Sequence, residues 1–304
     1  MTTTRPDCKP RPSLGFTLIE LVVVLAIIAI LSSLSFAGLA AVRQRAKADK
    51  TRSTIRKLHE IIVPQYESYL DRRVPIATLS GTAAARERTR QLRLLMAQEM
   101  PQSWAEVYPF GSIPAGAPAS ARAYAGFKAS LSSTNASWPS QAHEGAECLA
   151  MIVMRGGFAT EELEQFRSDE FGDVDNDGAV EFVDGWQQPI FFLRWPTGYR
   201  SGVQLQDSSV QPDPFDPMRV SDEVAYPDGV LQRDYALLPL IISQGADGPY
   251  SPVGIVADTT NWPAVLVSGT ALGTLRVAGS GLAGETNDAA AAADNITNHD
   301  LMSR

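Results

Sequence analysis

Between Asp173 and Asp184 the chain reads Asp-Val-Asp-Asn-Asp-Gly-Ala-Val-Glu-Phe-Val-Asp, which puts carboxylates at positions 1, 3, 5, 9 and 12 of a twelve-residue stretch. Gly178 stands at position 6 and the apolar Val180 at position 8. Alternating acidic side chains around a glycine that permits a sharp bend can wrap oxygen ligands around Ca²⁺. Asp173, Asp175, Asp177 and Asp184 are the candidate ligands, with Asp184 standing where a bidentate glutamate is usual. The flanks do not read as the two helices of an EF-hand, because Phe182-Val-Asp-Gly-Trp-Gln-Gln-Pro-Ile-Phe-Phe192 is a turn followed by a strand. The competing reading is a solvated Asp-Gly turn leading into Trp186.

Other reactive side chains are sparse. The three histidines, His59, His143 and His299, are scattered along the 304 residues, so a zinc site or a catalytic triad built on histidine is not expected. The acidic stretch has no His or Cys near it in sequence. A membrane-anchored enzyme would need a nucleophile beside a base or an open metal site, and no such constellation stands out. Cys8 and Cys148 are the only cysteines. The formal charge of -8 includes a basic head, Arg5, Lys9 and Arg11 against Asp7. An acidic chain argues against nucleic acid as a partner.

From Phe16 to Val42 Glu20 is the only ionisable side chain, and a helix of that length can cross a bilayer core of about 30 Å. A secretory signal peptide would have a shorter apolar run followed by a small-residue cleavage site, whereas here Gly15 and a polar head precede the run. A carboxylate a little over one turn into an apolar segment costs up to about 2.5–3.5 kcal/mol on insertion scales, so Glu20 needs a partner. An α-ammonium created by cleavage before Phe16 is the obvious one.

Gly15-Phe16-Thr17-Leu18-Ile19-Glu20-Leu21-Val22 resembles the signature of type IV prepilins and type II secretion pseudopilins. The resemblance implies that a prepilin peptidase cuts between Gly15 and Phe16 and methylates the new amine, and that Glu20 guides subunit docking. Many relatives carry a proline near mid-helix, where this chain has Ser35, Phe36, Ala37 and Gly38. Ser243-Gln-Gly-Ala-Asp247-Gly and Ala257-Asp258-Thr-Thr-Asn261-Trp262 resemble the C-terminal calcium loop of the major pseudopilin, which implies Asp247 and Asp258 as side-chain ligands. Asp184-Gly-Trp-Gln-Gln-Pro-Ile190 is similar to a turn of that family, with Gln187 and Gln188 in place of Gly and Asn.

Four segments must position these residues: a leader at 1–15, a transmembrane and assembly helix at 16–42, a helical extension with an inserted helical and loop region at 43–170, and a C-terminal sheet with acidic loops at 171–304. Ile55, Leu58, Ile62, Tyr66 and Tyr69 repeat at three and four residues, which extends the first helix to about Leu70. A second helix is expected over 83–99 and another over 142–155, with 106–140 mostly loop. Short apolar runs at 189–195, 203–205, 235–242 and 264–268 read as antiparallel strands, and 207–229 as an exposed connection. The expected class is α+β, which by the resemblance is a pilin fold with a long helical spine on a small sheet. The resemblance further implies a non-enzymatic fibre subunit anchored by one span in the inner membrane, its C-terminal domain periplasmic. Its expected partners are the peptidase, other pseudopilins, the inner-membrane assembly platform and lipid. The alternatives are a pilin or minor pilin for adhesion or DNA uptake and, further off, the anchored enzyme.

Overall fold

The computed structural model describes residues 17–76, 78–108, 111–134, 143–158, 160–221, 224–225, 231–246, 276–277, 281–282, 292 and 294–302. Two compact units divide the chain, residues 1–45 and 46–304. Helix α1 (Leu18–Ser68) runs on through Pro64 and crosses that boundary. In the second unit it is followed by α2 (Gly81–Glu99), α3 (Ala119–Thr134), α4 (Glu144–Arg155) and α5 (Thr160–Glu164), with a short 3-10 turn at Ser168–Glu170. The last element is α6 (Asn298–Met302).

The strands are short and antiparallel. The hairpin β1 (Phe171–Gly172) and β2 (Glu181–Phe182) brackets the acidic stretch. The central sheet has the order β3 (Phe191–Leu193), β6 (Leu240–Ser243), β9 (Ile296–Thr297), with Phe192 opposite Ile241 and Ile242 opposite Thr297. Two further pairs are β4 (Val224–Ala225) with β5 (Leu231–Gln232), and β7 (Arg276–Val277) with β8 (Gly281–Leu282).

The expected apolar face of α1 forms the floor of the core, where Ile55, Leu58, Ile62, Tyr66 and Tyr69 are all buried together with Phe192 and Ile241 of the sheet. The other sheet face buries Phe191, Leu193, Leu240 and Ile242 against Ala146 of α4, as the two-residue period of a strand requires. Helix α4 comes close to β3 at Gly145, where a Cβ would stand 3.0 Å from the Phe192 carbonyl oxygen.

Three parts of the chain differ from what the sequence suggested. Helix α3 occupies a stretch read as loop, because Ala121, Tyr124, Ala125 and Leu131 share a buried face that its serines and glycine obscure. The 207–229 connection is buried in part, at Asp213, Phe215 and Asp216: Asp213, with Asp234 beyond the stretch, binds Arg93 of α2 at 2.9 and 2.6 Å, and Phe215 stacks edge-on against Tyr66. Residues 203–205 form no strand. The Gln204 side chain takes the role of a ladder there, donating to the Pro196 and Tyr199 carbonyls and accepting from Leu238 N–H. The apolar run at 264–268 lies outside the described residues.

Two polar features lock the unit. Arg194, fully buried, makes a bidentate pair with Glu106 at 2.9 and 2.7 Å and stacks on Trp195. The turn after β2 meets α1 at Gly185, whose N–H donates to Thr51 Oγ1 at 2.9 Å and whose Cβ, if it had one, would strike the Lys47 carbonyl oxygen at 2.3 Å.

His299 of α6 is buried, bonded through Nδ1 to Ser201 Oγ at 2.9 Å and edge-on to Tyr199. Desolvation holds its imidazole down to about 4, with His59 adding to the effect against Asp300. An unfolded histidine binds its proton near pH 6.5, so the unfolded chain takes up the proton first as pH falls. Stability associated with His299 is intact above pH 6.5 and lost progressively down to about pH 4, by about 3 kcal/mol at the limit. Urea unfolding at pH 7 and pH 4.5 should show that loss reduced in His299→Gln. An equal loss in both proteins would reject the assignment.

Candidate functional site

The hairpin β1–β2 carries the acidic stretch in a tight loop. Asn176 and Gly178 adopt left-handed backbone, with φ of 59° and 91°, which a glycine takes without strain and an asparagine tolerates. The carboxylates first serve the loop itself: Asp173 accepts from Asp177 N–H and Gly178 N–H, Asp175 from Asp177 N–H, and Asp177 from Ala179 N–H.

Of the four candidate calcium ligands of this stretch, Asp173 and Asp175 share the Asp177 N–H, and Asp184 is engaged with other donors. Asp184 is buried, and its oxygens accept from Trp186 N–H at 2.7 Å, Gln188 N–H at 2.9 Å and Ser243 Oγ at 2.6 Å. It ties the turn to β6. Position 12 of the spacing is thus spent on a turn, a role that a count of positions cannot distinguish from a ligand. Asp175 and Asp177 do come together, but with partners from elsewhere. Asp175 groups with His143 and Glu181, and again with Glu147 and Asp177; in each set one ligand atom per residue lies within 4.8 Å of the others. A histidine next to the loop was not expected from the sequence. It arrives through tertiary packing, since His143 precedes the first turn of α4 and Gly145 lets that helix sit against β3.

Burial governs the charges here. It pushes Glu147 up to about 9 and raises Glu181, while the Glu181 carboxylate beside His143 raises the imidazole. For Glu181 the cost of desolvation outweighs the help from His143. Asp247 and Asp258 lie outside the described residues, so the second acidic loop has no described geometry.

In the first unit, α1 opens with a capping box. Thr17 N–H and Oγ1 both donate to Glu20 Oε2, at 2.9 and 2.7 Å, and Glu20 N–H donates to Thr17 Oγ1 at 3.3 Å. In the single chain the partner of Glu20 is therefore the helix start itself. Leu18, Ile19, Leu21, Val22, Leu25 and Ile28 are among the large apolar side chains left exposed along this helix. Among the described residues no helix is long and apolar enough to cross a membrane, the side chains here being described without a break only from Thr17 to Ser33. Gly15 and Phe16 lie just before the described residues.

Comparison of the whole chain with curated proteins and with solved structures finds no match. A family model, the prokaryotic N-terminal methylation motif, matches residues 10–36. That motif implies processing by prepilin peptidase and assembly with other pilin-like subunits. It spans the residue pair 15–16, the capping box and the exposed apolar turns of α1, and with it the chain carries the hallmark of type IV prepilin-like and pseudopilin-like proteins.

Proposed function

We propose that this protein is a structural subunit of a type II secretion pseudopilus. The reading is carried by the methylation motif at residues 10–36 on a capped apolar helix. The precursor is cut between Gly15 and Phe16, the new amine is methylated, and residues 16–42 hold the subunit in the inner membrane with its C-terminal unit in the periplasm. A band of exposed apolar side chains from Leu18 to Leu31 is costly in water and stable against lipid tails or against the same band of neighbouring subunits. Subunits then leave the bilayer by packing these helices side by side, at the platform where the fibre grows and helps export proteins. The sequence likeness at 243–262 favours the secretion pseudopilus over an adhesive or DNA-uptake pilin, and it extends the proposal to a structural calcium ion held by Asp247 and Asp258.

Co-expression with a prepilin peptidase should remove fifteen residues and leave an N-methylated Phe16, read by mass spectrometry of the mature N-terminus. An intact head, or a cut after the apolar run, would refute the precursor reading. Deleting the gene should block export of secreted enzymes; loss of surface attachment or transformation instead would assign the subunit to a pilus.

A further inference from the structure

We propose that His143, Asp175 and Glu181 form a binding site for a divalent transition-metal ion, with zinc as its preferred occupant, beside which Glu147 and Asp177 supply further carboxylate. His143 Nδ1 stands 3.6 Å from Asp175 Oδ2 and 3.6 Å from Glu181 Oε1. These contacts are too long for hydrogen bonds, and the three atoms have no other hydrogen-bond partner. Glu147 Oε1 is likewise buried without one. Glu181 is 0% exposed and Glu147 1%, so water does not satisfy them. Buried oxygens of this kind are costly to leave unpaired.

In each carboxylate the other oxygen is held. Val174 N–H donates to Glu181 Oε2 at 3.0 Å, Trp104 Nε1–H to Glu147 Oε2, and Asp177 N–H to Asp175 Oδ1 at 3.3 Å. One oxygen is thus fixed by a donor and the other left for an ion, the pattern in which outer partners orient metal ligands. Ligand atoms about 2.0–2.2 Å from a tetrahedral zinc ion lie about 3.3–3.6 Å apart, and the two distances from His143 match that spacing. The ion gathers the three atoms with little movement, and Glu147 or Asp177 of the overlapping set is at hand for the fourth position.

The imidazole decides the class of ion. Calcium and magnesium prefer oxygen alone, whereas a histidine among carboxylates suits zinc and its neighbours. The His143 and Asp175 side chains keep 16% exposure each, which leaves an entry path. Bound there, the ion ties the start of α4 to the β1–β2 loop, two parts of the fold far apart in sequence. It is a staple for a chain whose described cysteine, Cys148, is free and buried.

The test uses the full chain in detergent, made without a polyhistidine tag and stripped with chelator. Zinc is titrated in competition with a chromogenic chelator, and thermal unfolding is followed with and without it. The expected result is one equivalent bound tightly and a raised Tm, with affinity reduced about tenfold or more in His143→Ala and in the isosteric Glu181→Gln and Asp175→Asn. Asp71→Asn, at an exposed carboxylate outside the cluster, should leave zinc binding unchanged, and calcium at about 1 mM should not displace it. Absence of binding, or binding untouched by all three variants, would overturn the site. Equal displacement by calcium would overturn the transition-metal assignment, leaving a site that reads oxygen only. Should His143→Ala fail to fold, the two isosteric variants decide alone.

Discussion

Glu20→Ala should give a subunit that is inserted and cleaved but does not assemble. The substitution keeps the segment apolar and leaves residues 15 and 16 untouched, so the peptidase still has its substrate. It removes one half of the capping box, because Thr17 N–H and Oγ1 lose their acceptor at 2.9 and 2.7 Å, while the backbone N–H of residue 20 can still donate to Thr17 Oγ1. Loss of a cap costs about 1 kcal/mol, which frays the first turn without unfolding the helix. Assembly suffers far more. In the proposed fibre the carboxylate would lie in a low-dielectric bundle, where an unpaired amine on a neighbouring Phe16 would be expensive and a paired one would not. The check is the ratio of fibre to membrane-bound subunit after cell fractionation. Wild-type assembly of this variant would show that Glu20 serves only the helix start. Glu20→Gln separates the two roles further, since an amide oxygen can still cap Thr17 but cannot neutralise an ammonium.

The second large effect is expected in the core. Arg194→Met should destabilise the 46–304 unit by about 3–5 kcal/mol, because it strands the buried Glu106 carboxylate that the guanidinium holds at 2.9 and 2.7 Å. It also removes the donor to the Met100 carbonyl and the stacking on Trp195. The fall in Tm should be roughly 10 °C for a domain of this size. The double variant Arg194→Met with Glu106→Leu should recover much of the loss, since a buried pair and a well-packed apolar pair of similar volume differ little. A double variant as unstable as the single one would mean that lost packing, and not the stranded charge, sets the penalty.

How far such residues can be read from sequence depends on whether their partners are near in the chain. The N-terminal helix was legible because motif, cap and apolar run are consecutive, and the buried stripe Ile55, Leu58, Ile62, Tyr66 and Tyr69 because one helix displays it at regular spacing. Helices α2 and α4 fall close to where their composition and the proline after α2 place them. Helix α3 did not, since two of its four buried residues are alanine, which says little about burial. The carboxylates divided in the same way. A spacing count grouped Asp173, Asp175, Asp177 and Asp184 because they are close in sequence. The fold instead pairs Asp184 with Ser243 and brings His143 to Asp175. No local rule contains those contacts, because they depend on where α4 and β6 pack. A signal did exist for the histidine: His143, Glu144 and Glu147 open a helix together, which places His143 and Glu147 one turn apart.

The seat of the β2–β3 turn on α1 has a mechanical consequence. Over the stretch from Lys47 to Lys57 the helix is met by Gly185 at Thr51, by Asp169 at Lys50 and by Glu170 at Thr54 and Lys57. These links lie along the helix axis and not across its end. A pull along α1 therefore loads them together, in shear, while the missing side chain of Gly185 is what lets the turn sit directly against the Lys47 carbonyl. A subunit drawn by its helix would move as one piece with its β-rich part, and an alanine at position 185 would be expected to loosen that grip before it disturbs any strand.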